Sequence, residues 1–144
     1  MHLISKQLTV VGLLTVAISS SPVMAAGNLA AGGDKLPELK IDSTQLKFSQ
    51  NEYDIETGKY YRLTISVDDG SDTFGLVMPQ LLRNSWLDRV AVDAVNIHAS
   101  AIDSFDLDGG ATLEIAFVVL RPGVYDFWSP GYEKRGLKGK FVVK

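Results

Sequence analysis

The sequence predicts an all-β domain folded as a sandwich or barrel. Three observations carry that expectation. Apolar and polar residues alternate with period two, as where Tyr61, Leu63, Ile65 and Val67 interleave with Tyr60, Arg62, Thr64 and Ser66. Turn clusters separate such runs at short intervals: "ETG" at 56–58, "DDGSD" at 68–72, "DGG" at 108–110 and "RPG" at 121–123. The 144 residues suffice for one domain, and they show no internal repeat or low-complexity tract.

The chain opens with "MHLISKQLTVVGLLTVAISSSPVMAAG", which has a charged start at Lys6 and an apolar run from Leu8 to Ile18. The small-residue site Val23-Met24-Ala25 completes the three-part pattern of a secretory signal over residues 1–25. Cleavage is expected after Ala25 or Ala26. The apolar run falls short of the about 20 residues that span a bilayer, and no second candidate span follows. The expectation is a periplasmic or secreted protein with no membrane span after signal removal. Residues 26–40, "AGNLAAGGDKLPELK", read as a Gly-rich flexible lead-in, and 41–144 as the domain.

Within that domain, "QLKFSQNEYDIETGKYYRLTISV" offers two extended runs parted by Glu56-Thr57-Gly58. "TFGLVMP" is a short apolar strand stopped by Pro79. In "QLLRNSWLDRV", Leu82, Trp86 and Leu87 fall on one side of a helix, so a short helix is expected around residues 80–88 with Trp86 plugging the core. Strand-like alternation resumes in "VAVDAVNIHASAIDSFDL". After the turn at 108–110, Leu113, Ile115, Phe117 and Val119 point one way, with Thr112 and Glu114 opposite. "VYDFW" and "GKFVVK" supply the last strands, for seven or eight in all.

Composition removes whole classes of chemistry. The sequence has no Cys, which excludes disulfides, thiol catalysis and a lipid-modified cysteine. Its 14 basic and 17 acidic side chains make it a poor partner for phosphate backbones, so no nucleic-acid binding is expected. Beyond the signal, His98 is the only His and Met78 the only Met. Ser129 therefore has no constellation that would make it a nucleophile, and no enzyme activity is expected.

The order of the later pieces is more specific. "LKFSQNEYDIETGKYYRLTI" leads through a Gly turn into a strand. "GGATLEIAFVVLRPGVYDFWSPGYEKRGLKGKFVV" combines a hairpin, a Pro-Gly turn, a Tyr-x-Phe strand and a closing Gly-x-x-Gly segment. Over residues 46–78 and 108–143 the chain resembles the cupredoxin family of plastocyanin- and azurin-like proteins. The resemblance implies a Greek-key β-sandwich. It also implies a copper held by an early His and by Cys, His and Met on the closing loop, in a Cys-x-x-His-x-x-x-x-Met spacing. Counted from Tyr125-Asp126-Phe127, Ser129 stands at the Cys position, Tyr132 at the His and Leu137 at the Met; Phe74 is the match for the early His. A blue-copper centre needs a thiolate and two imidazoles with a weak axial donor. Ser, Tyr, Phe and Leu do not supply them, so a degenerate site is expected with no metal cofactor. Copper binding or electron transfer at a non-standard site using His98, Met78 or Tyr132, or a small ligand in the former metal cavity, are the alternatives.

Other residues offer other readings. His98 in "AVNIHAS" is expected as a surface or a satisfied core residue rather than a metal ligand, and Met78 in the core. The acidic stretches at Asp68, Asp69 and Asp72 and at Asp103, Asp106 and Asp108 lack the spacing of a calcium loop and read as solvated turns. Lys134, Arg135, Lys138 and Lys140 gather on an otherwise acidic chain. Trp128 either alternates outward or packs under the insert; in the first case Trp128, Tyr132, Lys134, Arg135 and Lys138 form the candidate surface for a protein partner in the exported compartment.

Overall fold

The computed structural model describes residues 32–70 and 72–144. The expected signal peptide, and the lead-in as far as residue 31, lie outside them. In chain order the first strands are β1 (Asp34–Lys35), β2 (Leu39–Asp42), β3 (Lys47–Phe48), β4 (Glu52–Ile55), β5 (Tyr60–Val67) and β6 (Thr73–Val77). A helix α1 (Pro79–Arg83) precedes β7 (Ser85–Val92), β8 (Val95–Ile97), β9 (Ser104–Asp108), β10 (Thr112–Val119), β11 (Gly123–Trp128) and β12 (Lys138–Val143). One sheet runs β3-β2-β5-β10-β7-β8, with β1 joined to β5; the other runs β4-β12-β11-β6-β9. The result is an all-β, two-sheet sandwich with one short helix.

The period-two runs place one face of each sheet inside. Leu63, Ile65 and Val67 of β5 lie buried against Leu113, Ile115, Phe117 and Val119 of β10, with Leu63 opposite Ile115. Opposing them are Tyr53 and Ile55 of β4, Tyr125 and Phe127 of β11, and Phe141 and Val143 of β12. Aromatic rings fill the space between sheets: Phe127 lies 5.4 Å from Phe48 and 5.3 Å from Phe141, and Tyr53 stacks on Phe141 at 4.8 Å. Burial, seconded by the negative charge of Glu38, pushes the Tyr53 phenol above its ordinary range. Its hydroxyl donates to the Pro37 carbonyl at 3.1 Å. Gly139 is dictated by this packing, because a Cβ there would overlap the Phe127 ring and the Asn51 carbonyl.

Three expectations are corrected. The lead-in is structured from Asp34: β1 and β2 both run parallel to β5, and Leu39 is fully buried. Leu36 and Leu39 give that segment enough apolar surface to dock. The helix expected around 80–88 occupies 79–83 only. Pro79 starts it, Leu81 and Leu82 bury its inner side, and Asn84 ends it by donating from Nδ2 to the Gln80 carbonyl at 2.8 Å. Residues 85–88 belong to β7, which pairs along β10.

The third correction is Trp86, which faces out at 44 % exposure. It lies opposite Val118, on the outer side of β10, whereas its neighbour Leu87 lies opposite the buried Phe117. A bulge at Asp88 then puts two successive side chains on that outer face. The Tyr60 hydroxyl donates to Asp88 Oδ2 at 2.7 Å, and Arg89 Nη1 donates to the same oxygen at 3.0 Å. Burial and this hydrogen bond raise the Tyr60 phenol. They roof a small second cluster of Tyr60, Ala116 and Val118.

Candidate functional site

β11 and β12 are antiparallel neighbours, and residues 129–137 connect them at one end of the sandwich. Backbone hydrogen bonds fix this loop. Ser129 N–H donates to the Leu137 carbonyl at 3.0 Å, Tyr132 N–H to the Ser129 carbonyl at 3.0 Å, and Leu137 N–H to the Tyr132 carbonyl at 3.2 Å. A single 3-10 turn, Glu133–Arg135, forms the tip. Val77 of β6 lies opposite Trp128, so the end of β6 approaches the same loop. The Phe74 and Tyr132 ring centroids are 5.5 Å apart.

The four positions singled out by spacing therefore sit together. Phe74 and Leu137 are buried hydrocarbon in the main core, and Tyr132 packs against that core from a half-buried position. Ser129 is fully buried, and its Oγ has no hydrogen-bond partner. With no Cys in the chain, this donor set does not fit a type 1 copper centre. It lacks the thiolate and both imidazoles that such a centre requires. The alternative donors are not brought together: Met78 is fully buried, while His98 is exposed beside β8. His98 Nδ1–H donates to the Asp88 carbonyl at 2.7 Å. Among the described residues no three His, Asp or Glu side chains converge as metal ligands.

The acidic turns are engaged by the protein itself. The Ser43 N–H donates to Asp68 Oδ1 at 3.0 Å and holds that carboxyl below its ordinary range. Thr73 donates to Asp108 Oδ1 at 2.7 Å, and Arg83 grips Asp103 through Nε at 3.0 Å and Nη2 at 2.6 Å. Gly109 lets the two turns abut, since a Cβ there would collide with the Gly70 backbone.

Beside the closing loop, the exposed face of the second sheet carries a groove of about 570 Å³. Trp128 and Lys138 form one cross-strand row of its floor; Asp126, Lys140 and Glu52 form the next. Glu133 stands at its rim. Lys140 pairs with Glu52 at 3.1 Å. Asp126, Glu133, Lys134, Arg135 and Lys138 have no ion-pair partner among the described residues. The Arg135 guanidinium lies 5.9 Å from the Tyr132 ring centre. Sequence reasoning found Trp128, Tyr132 and the cations but not Glu52 or Asp126. The only signal for these two was outward alternation, which does not tell which strands become neighbours.

No protein-family model matches this chain, and no curated protein sequence matches it. Solved structures do. Auracyanin B is 17% identical with a TM-score of 0.50, over 78% of this chain and 90% of that one. A dithionite-reduced auracyanin from the photosynthetic bacterium Roseiflexus castenholzii is 19% identical with a TM-score of 0.51, over 76% and 98%. A multicopper oxidase gives a TM-score of 0.59 at 10% identity, over 77% of this chain and 44% of that one. These likenesses show the fold: a cupredoxin-type sandwich, here without the cysteine of a type 1 site.

Proposed function

We propose that this chain is an exported binding or accessory module, which docks a protein partner with the loop end of its sandwich. One observation carries the reading. Lys134, Arg135 and Lys138 stand without ion-pair partners among the described residues, beside Trp128 and Tyr132, on a chain of net charge −3. A cationic patch on an acidic molecule attracts an acidic surface over a distance of about 8–10 Å at physiological salt. The neighbouring rings supply contact area that charge alone lacks. Electron transfer through type 1 copper is replaced by recognition, because the loop has traded donor atoms for hydrocarbon and hydroxyls.

Export is part of the reading and rests on residues 1–25, with the mature chain starting at Ala26 or Gly27. The test is cross-linked capture from the exported fraction of the source cells. Wild type and a Lys134→Glu/Arg135→Glu/Lys138→Glu variant are compared at low and high salt. The expected result is a specific acidic protein whose recovery falls about tenfold or more in the variant, and falls with salt in wild type. Equal recovery by both proteins rejects this surface as the docking site.

A further inference from the structure

The groove on the exposed face of the second sheet shares Trp128 and Lys138 with the docking patch but extends away from Lys134 and Arg135, and its carboxylates give it a different chemistry. Its floor is set by register. Trp128 lies opposite Lys138, and one step along the strands Asp126 lies opposite Lys140, which lies opposite Glu52. Neighbours across strands are about 4.8 Å apart and successive outward rows about 7 Å apart. The indole thus has an ammonium one strand away and a carboxylate one row away. Glu133 closes the rim.

The signs of these groups decide what fits. Asp126, Glu133 and Glu52 are set against Lys138 and Lys140, and the Lys140–Glu52 pair at 3.1 Å satisfies itself. An anion would meet the free carboxylates of Asp126 and Glu133; a cation would meet Lys138. A neutral ring with hydroxyls all round meets neither difficulty. Its hydroxyls donate to carboxylates and accept from the ammonium, and these charge-assisted bonds are the stronger kind. Its apolar C–H face lies on the half-exposed indole.

The geometry points to a carbohydrate-binding groove: Trp128 as the stacking platform, Asp126 and Glu133 as acceptors and Lys138 as donor, for a neutral oligosaccharide. The groove is open at the surface rather than enclosed, so it admits a unit within a longer chain.

Titration calorimetry on the chain starting at Ala26 tests this with cellohexaose, maltohexaose and chitohexaose, and with pentaglycine as a zwitterionic control. At least one hexasaccharide is expected to bind with a Kd below about 1 mM. Trp128→Ala is expected to weaken it by about tenfold or more. Asp126→Asn, an exposed change that leaves the core untouched, is expected to weaken it by about threefold or more, and Trp86→Ala to leave it unchanged. The proposal is overturned by silence from all three sugars at 10 mM, by equal binding to Trp128→Ala and Asp126→Asn, or by pentaglycine binding at least as tightly. Lys134 and Arg135 lie outside the groove, so failure here leaves the docking reading to its own test.

Discussion

Ser129 concentrates the question of what became of the site. It follows the strand residues Phe127 and Trp128, and its side chain is fully buried with an unpartnered hydroxyl. A buried hydroxyl that makes no hydrogen bond costs about 1–3 kcal/mol relative to one that does. Ser129→Ala removes that cost at the expense of one small atom. The variant is therefore expected to be at least as stable as wild type in urea denaturation. A loss of more than about 1 kcal/mol would mean that the hydroxyl has a partner, and the apolar account of this position would be wrong. Residue identity at the four positions was readable directly: absent sulfur and imidazole are visible in a list of letters. The orphaned state of Ser129 was not, since it depends on Phe74 and Tyr132 arriving from elsewhere.

Among the elements, β11 and β12 frame both candidate surfaces, and they pack closely against each other. Phe127 points inward from β11 beneath Gly139 of β12, and the carbonyl of Asn51, just before β4, presses on the same glycine. Gly139→Ala forces the ring or both strands to move. The expected loss is about 1–3 kcal/mol in urea denaturation, the usual range for an overfilled core. A change within about 0.5 kcal/mol would show that the strands are looser than described. Elements with strong local patterns were legible from the sequence. Tyr60–Val67 and Thr112–Val119 carry a period-two pattern in Leu63, Ile65 and Val67 and in Leu113, Ile115, Phe117 and Val119, and each is a strand with the expected face inside. The end of α1 was not legible, because Asn84 and Ser85 stop the helix by bonding carbonyls of its last turn. Trp86 was misplaced for a related reason. Its direction is set by register against Val118, and a distant strand leaves no mark in the local pattern. The groove required Glu52, Asp126 and Lys140 from three strands to fall in one row, which is information of the same long-range kind.

At the scale of the whole molecule, the sandwich has the architecture of copper-protein folds without the donors of a type 1 site. The two sheets bury a continuous apolar core that extends through Phe74, Met78 and Leu137 to the end where the closing loop sits. Hydrocarbon at that end stabilises by being removed from water, at about 25 cal/mol per Å² of apolar area, and needs no metal to hold the loop shut. We place function, as proposed, on the surfaces: the basic loop tip for a partner and the charged groove with its indole. The direct measurement of this difference is copper retention. Mature protein is saturated with copper under oxidising conditions, desalted, and examined by elemental analysis and visible absorption. The account predicts a colourless protein with far less than one copper per chain. An intense blue band with one copper retained per chain would contradict it.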